Sequence, residues 1–140
     1  MNSGRPYILL PKFDVDPITF NILDAYTFIS NISAAAALDT QIAHGATFTF
    51  EYSAREAYGA HIAWPAGAPL NATWWHKVTE AWEADPALVQ LFTEFQGKNS
   101  IRTTNCTSTA RVESKICYAR SGSYPIAGLC PYGSKYVLPC

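Results

Sequence analysis

Apolar and polar residues alternate along the first part of the chain, and the apolar period lengthens afterwards. The segment YILLPKFDV is followed by the turn-forming pair Asp16-Pro17 and then by TFNILDAYTFISN. Alternation with a period of two is typical of strands, so this region predicts a β-hairpin. A lone hairpin is marginally stable in water, so its apolar face should pack against a further sheet or helix. The residues expected to share that face are Phe20, Ile22, Tyr26 and Phe28.

The next two segments depart from the alternation. SAAAALDTQIAHGA predicts a connection, and TFTFEYSAREAYG then has helical spacing. In the second segment Thr47 is a candidate helix cap and Gly59 a candidate stop. Its first four residues could equally form a strand. The predicted helical stripe consists of Phe48, Tyr52 and Arg55.

Two amphipathic helices are predicted on either side of Asp85. Asn71 or Thr73 would open the first helix, and Asp85 followed by Pro86 is typical of the start of the second. Gly97 would end the second helix. The apolar stripe of the first helix is expected to be Trp74, Trp75, Val78, Ala81 and Trp82. That of the second is expected to be Leu88, Leu91, Phe92 and Phe95.

A third and weaker helix is predicted from about Thr109 to Arg120, before a tail rich in glycine, proline and cysteine. Its inward residues are expected to be Val112, Ile116 and Ala119. Strands followed by helices indicate an α+β fold.

Length and charge narrow the class of protein. The 140 residues are about the size of one domain, and ten basic residues balance eleven acidic ones. This balance provides no charge field for nucleic acid or an anionic membrane. No apolar run approaches the roughly 18 residues of a membrane span. The sequence therefore predicts a soluble protein without a nucleic-acid partner.

Cysteines and glycosylation patterns favour an oxidising compartment. The acceptor pattern Asn-X-Ser/Thr occurs at Asn31, Asn71 and Asn105. All four cysteines fall near the end of the chain, at intervals of 11, 13 and 10 residues, which are longer than zinc-ligand spacings. Disulfides are therefore favoured over a metal site. The apolar run from Tyr7 to Leu10 is too short for a secretory h-region, so no signal peptide is predicted.

The segment from Glu51 to Pro86 is rich in carboxylates, histidines and tryptophans. His76 and Glu80 have the i, i+4 spacing of two metal ligands, but a helical ion pair is favoured. The tryptophans are explained by the helix stripe, so a core role is favoured over cofactor or lipid stacking. Neither His61 nor His44 forms a recognisable constellation. A self-contained hydrolase is the remaining catalytic alternative, and it would use Glu51, Glu56 and His61 or His76.

Four stretches together resemble a known family. They are FEYSAREAYG, PLNATWWHKVTEAWEADPALVQLFTEF, ICYARSGSYPIAGLC and the upstream DPITFNILDAYTFISNIS. They are similar to the C-terminal region of acid sphingomyelinase-like phosphodiesterases, especially the fungal secreted enzymes, and the likeness runs from about Asp14 to Cys130. It implies an N-terminal β-hairpin remnant of the metallophosphoesterase sheet at 1–45. A helical, disulfide-stapled C-terminal subdomain at 46–140 would follow.

The resemblance implies a parent enzyme that is extracellular or lysosomal/vacuolar and glycosylated. Its calcineurin-like metallophosphoesterase core binds two zinc ions and hydrolyses sphingomyelin to ceramide and phosphocholine. The core's ligand motifs, D-x-H, G-D, G-N-H-E and G-H-x-H, do not occur in this chain. We therefore expect no catalytic, cofactor-binding or metal-binding residue here, and a supporting role beside a separate catalytic core. The sequence is expected to be a truncated copy or one begun inside that core.

Cysteine positions both match and depart from the family pattern. The resemblance implies a disulfide between Cys117 and Cys130, whose loop would stabilise the fold by roughly 3 kcal/mol. The family's C-x-x-x-C is broken here, because Ala110 stands where the partner of Cys106 would be. Cys106 would then pair with Cys140 or remain free. The alternative function is a secreted module that binds a protein, a sphingolipid or a membrane surface through an exposed apolar face.

Overall fold

The computed structural model describes residues 7–31, 47–100 and 103–131, which fall into two compact units, Met1–Asn71 and Ala72–Cys140. The described part of the first unit contains strands β1 (Tyr7–Val15), β2 (Ile22–Asn31) and β3 (Thr49–Ser53) and helix α1 (Ala54–Gly59). That of the second contains α2 (Ala72–Ala84), α3 (Pro86–Gln96), α4 (Thr109–Ser121) and α5 (Tyr124–Ala127). The predicted α+β class is confirmed. The family-based division at residue 45 stays a prediction.

The three strands form one antiparallel sheet in the order β1-β2-β3, and the predicted hairpin is β1 with β2. Its turn is fixed by Asp16, whose Oδ1 accepts hydrogen bonds from the backbone N–H groups of Ile18 at 2.7 Å and Thr19 at 3.1 Å. Phe20 lies in this turn with φ of 58°, before β2 begins at Ile22. The prediction that Phe20 belongs to the strand face was therefore wrong, because the turn is longer than the Asp16-Pro17 pair indicated.

A strand replaces the first half of the helix predicted from Thr47. β3 pairs with β2 from Thr49 to Ser53, and the helix begins only at Ala54. Ser53 is the N-cap, since its Oγ accepts a hydrogen bond from the Glu56 N–H at 3.0 Å. Alternating Thr, Phe and Tyr residues favour a strand once β2 offers an unpaired edge. The strand alternative was thus the better one, and Gly59 ends the helix as predicted.

Helix α3 confirms the predicted capping signals, and α2 begins at Ala72, directly after the candidate Asn71. The Asp85 side chain accepts a hydrogen bond from the Ala87 N–H at 3.0 Å, Pro86 is the first helical residue and Gly97 is the C-cap. The stripe predictions hold in part, because Trp75 is exposed. In α3 the buried face is also rotated from the predicted one, because Val89 and Thr93 are buried in place of Leu91, Phe92 and Phe95. The buried residues of the two helices are Trp74, Val78, Thr79, Trp82, Leu88, Val89 and Thr93.

Helix α4 lies where the third helix was predicted, and one of its expected inward residues is wrong. Val112 and Ile116 are buried, whereas Ala119 is exposed and Lys115 is buried in its place. The Lys115 Nζ donates a hydrogen bond to Gln96 Oε1 at 2.6 Å and lies 5.5 Å from the centre of the Phe92 ring. The long lysine stem supplies apolar surface to the core while its ammonium group finds an acceptor.

Replacing Lys115 by methionine is expected to raise the free energy of unfolding at pH 7. Burial lowers the Lys115 pKa from its ordinary value of 10.5, so the folded state disfavours the charged form. This penalty is present in full below the lowered pKa and disappears as the pH rises through 10.5. The gain in stability of the variant should therefore shrink above pH 10.5. Urea denaturation at pH 7 and at a pH above 10.5 would measure this change. Lys77→Met on α2 is the control. A variant less stable than the parent at pH 7 would contradict the prediction.

Candidate functional site

The EYSAREAYG stretch is held against β2 by a buried carboxylate, that of Asp24. Asp24 accepts hydrogen bonds from the Ser53 hydroxyl at 2.8 Å and from the backbone N–H of Arg55 at 3.1 Å. It also accepts one from the N–H of Ala25 at 2.7 Å. These bonds join β2 to the junction between β3 and α1. A buried carboxylate with several N–H and O–H donors is satisfied as a structural group.

Arg55 extends this network to the loop that follows α1. Its Nε and Nη2 donate to the Leu23 carbonyl oxygen at 3.2 and 2.7 Å, and Nη2 also donates to that of Ala68 at 2.6 Å. The guanidinium thus ties β2, α1 and residue 68 together. A planar group with five N–H donors suits this bridging of carbonyl oxygens. The arginine of the EYSAREAYG stretch therefore has a structural task here.

The remaining polar residues of that stretch and its neighbour His61 differ in burial. Tyr58 is buried, and its burial raises the pKa of the phenol, with a smaller effect from Tyr52. The phenol therefore stays protonated at neutral pH. Glu56 and His61 are exposed, and Glu51 is half-buried at an irregularity in the pairing of β3 with β2. The self-contained hydrolase that would use Glu51, Glu56 and His61 or His76 stays an alternative.

His76 and Glu80 form the helical ion pair expected from their spacing. His76 Nε2 lies 3.5 Å from Glu80 Oε1 on α2, and both side chains are more than half exposed. An exposed i, i+4 pair of this kind contributes little to stability. The side-chain contact expected for a helical pair is therefore present, and the metal alternative is not tested by it.

A second charged group links α2 to α4. Arg120 donates from Nε to the Thr79 hydroxyl at 2.8 Å and from Nη1 to Glu83 Oε1 at 2.5 Å. The hydrogen bond from Arg120 lowers the pKa of the Glu83 carboxyl, which is therefore ionised at neutral pH. The bond between the helices fixes the guanidinium in one place.

The Arg120 guanidinium borders a cavity of about 520 Å³ within the helical unit, which we call the aromatic cavity. The residues that define it are Trp75, Val78, Trp82, Phe92, His76 and Arg120. The Trp82 and Phe92 rings lie 4.8 Å apart, centre to centre. Sequence reasoning missed this cavity, because it assigned Trp75 to the core and did not single out Arg120. The signal available in the sequence was the pair of adjacent tryptophans, of which Trp75 is the exposed one.

The sheet is the second candidate surface, because large apolar side chains are exposed on both of its faces. Leu10, the half-buried Phe28 and Phe50 are opposite one another in register, so they form a row on one face. Leu9 and Phe13 alternate with Leu10 along β1 and lie on the other face. Phe13 and Phe50 are 54% and 52% exposed. We call these residues, together with the exposed Val15, the apolar sheet surface.

The hairpin tip adds two further exposed apolar side chains. Ile18 is 85% exposed and Phe20 79% exposed, in the turn that Asp16 holds through its hydrogen bonds. The tip is therefore ordered by polar bonds and presents apolar groups outward.

The disulfide implied for Cys117 and Cys130 is present, with a Cα–Cα distance of 5.7 Å. Cys106 is buried and also disulfide-bonded, so it does not remain free. Cys140 lies outside the described residues, and its pairing stays a prediction. Asn71 and Asn105 are exposed, as a glycan would require, and Asn31 is the last residue of β2.

Within the described ranges, neither a metal-binding cluster nor a membrane-spanning helix is present. No group of three or more histidine, cysteine, aspartate or glutamate residues there could hold a metal ion. His44 lies outside those ranges. No helix in the described part of the chain is long and apolar enough to cross a membrane. No protein-family model, curated protein or solved structure matches this chain.

Proposed function

We propose that this chain is the supporting C-terminal part of an acid sphingomyelinase-like phosphodiesterase and that it does not hydrolyse phosphodiesters alone. The observation that carries this proposal is the apolar sheet surface. A sheet that faces water on one side normally has polar residues on that side. Apolar residues on both faces, as with Leu10 and Phe13, are typical of strands that are covered on both sides.

The edge of the sheet supports the same proposal. Among the described residues β1 pairs with β2 alone, so its outer edge is open. Pro11 in the middle of β1 lacks an N–H group, which suits an edge strand and limits aggregation. A catalytic core packed over the faces of this sheet would bury Phe13 and Phe50. Rows of exposed apolar side chains such as those on each face of this sheet are typical of a protein-binding or membrane-binding site.

The residues that resemble the family have structural roles, which suits a chain that supports a catalytic core rather than one that performs catalysis. In the EYSAREAYG stretch, Arg55 and Ser53 bind Asp24 and neighbouring carbonyl groups, and Ala54 and Tyr58 are buried. The chain lacks the ligand motifs of the two-zinc centre, so the core would hold the metals and perform the phosphoryl chemistry. This chain would keep the core folded and shape the access to its site.

The test is complementation with a catalytic core of this family that ends before its last pair of strands. The chain, produced in an oxidising compartment, should contain no zinc and should hydrolyse neither a chromogenic phosphodiester nor sphingomyelin. Added to the truncated core, it should form a complex and raise turnover. Phe13→Glu should weaken the complex, because a charge would be buried at the contact. Tyr118→Glu is the matched control, since Tyr118 is an exposed aromatic residue of α4.

Two outcomes would overturn the proposal. About two zinc ions per chain with turnover by the chain alone would show that it is itself the catalyst. Absence of a complex with the core, together with equal behaviour of the two glutamate variants, would show that the apolar sheet surface serves another purpose.

The exposed hairpin tip favours a second candidate function, that of a lipid-binding module. Ile18 and Phe20 project from an ordered turn, and insertion of two such side chains into a bilayer interface would bury apolar area. Cosedimentation with zwitterionic liposomes would detect this, and Ile18→Ser with Phe20→Ser should abolish it. A chain that stays in solution in the presence of such liposomes would exclude this function.

A further inference from the structure

The aromatic cavity has the size and wall chemistry of a small-molecule site. Its volume of about 520 Å³ falls within the range of roughly 300–1,000 Å³ that such sites occupy. Trp75, Trp82 and Phe92 supply ring surface, and Val78 supplies an aliphatic contact. A planar apolar body would bury its surface against the exposed parts of this wall and gain aromatic contacts.

The charged groups in the wall are cations. Arg120 borders the cavity, and His76 carries a positive charge when it is protonated. The carboxylates closest to them along α2, Glu80 and Glu83, are outside the lining and are each bonded to one of these cations. An anionic group on a ligand would therefore meet a donor rather than a carboxylate inside the cavity.

The Arg120 guanidinium is held in position before any ligand arrives. Its bonds to Thr79 and Glu83 use Nε and Nη1, while the guanidinium group has five N–H donors. Donors on Nη2 therefore remain for a carboxylate. Because the bonds to α2 already restrict the side chain, little additional ordering is needed on binding.

We propose that the aromatic cavity binds a small aromatic carboxylate, with the ring body against Trp75 and Phe92 and the carboxylate on Arg120. This site goes beyond the proposed function and does not depend on it, because every lining residue belongs to the helical unit. Binding of the ring is driven by burial of apolar area, and the guanidinium selects the sign of the charge.

A series of three probes with one ring body tests the proposal on the unmodified protein. The probes are 1-naphthoate, the neutral 1-naphthamide and the cation 1-naphthylmethylammonium, titrated by calorimetry and by tryptophan fluorescence. We expect saturable binding of naphthoate at one site, about tenfold weaker binding of the amide and none of the ammonium ion. Equal affinity for the three probes, or no saturable binding of naphthoate at millimolar concentration, would overturn the proposal.

Substitutions locate the site. Ala119→Trp should abolish naphthoate binding, because Ala119 lines the cavity and is exposed, so a larger side chain can fill the space. Tyr118→Trp places an indole on the neighbouring position of α4, outside the lining, and should leave the affinity unchanged. Glu83→Gln should strengthen binding about threefold, since the amide oxygen can still accept from Nη1 while the negative charge beside the bound carboxylate is removed. Unchanged affinity in Ala119→Trp would place the binding elsewhere and contradict the proposal.

Discussion

Replacing Trp74 by alanine should lower the free energy of unfolding by about 3–5 kcal/mol, the usual loss when a large aromatic side chain is removed from a core. The side chain of Trp74 is 0% exposed, and it is the largest of the fully buried ones. Its ring also meets that of Trp75 edge to face, with 4.6 Å between their centres. Removal would therefore leave a cavity and forfeit an aromatic contact.

Trp75 supplies the control for this prediction. It is the next residue on the same helix, but it is 42% exposed, and Trp75→Ala should cost only about 1 kcal/mol. Urea denaturation followed by far-ultraviolet circular dichroism would compare the two variants without relying on tryptophan fluorescence. Equal losses of stability would contradict the burial described here. The same Trp75 variant should also bind naphthoate more weakly, since it removes one wall of the aromatic cavity.

This pair of tryptophans also shows how far the sequence could predict the helices. Asp85, Pro86 and Gly97 placed the ends of α3, because capping depends on residues that are local in the sequence. The apolar stripe could not decide between Trp74 and Trp75, since adjacent helical positions lie about 100° apart and both border a wide stripe. Similarly, a lysine at position 115 would not be assigned to a core by pattern, although its stem is apolar enough to pack there.

Contacts between distant residues explain the parts that the sequence did not predict. β3 exists because β2 pairs with it, so the local helical spacing from Thr47 was overruled by tertiary structure. Arg55 reaches the Leu23 carbonyl across 32 positions of the chain, and Arg120 reaches Thr79 across 41. The spacing of residues along the sequence gives no indication of either hydrogen bond. The network around Asp24 and the aromatic cavity could therefore be recognised only in the three-dimensional structure. The hairpin and the helices could be predicted from the sequence.

Removal of the disulfide between Cys117 and Cys130 is expected to cost roughly 3 kcal/mol of stability. The bond closes a loop of 13 positions, and in the chain-entropy model a loop of this size restricts the unfolded chain by about that amount. It joins α4 to the residues after α5, a short helix whose buried side chain is Ala127. A segment with so little core of its own depends on the covalent link for its position.

The double variant Cys117→Ser with Cys130→Ser isolates this effect, since a reducing agent would also break the disulfide of Cys106. Thermal unfolding of the variant and of the parent under the same non-reducing conditions measures the difference. Peptide mapping of the unreduced parent should recover Cys117 linked to Cys130 and would also reveal whether Cys106 is linked to Cys140. Unchanged stability of the double variant, or a different partner for Cys117, would contradict the prediction. In the variant, α5 could lose its protection from hydrogen exchange while α2 and α3 keep theirs. That result would show that the disulfide stabilises the segment after α4 and that the helical core is stable without it.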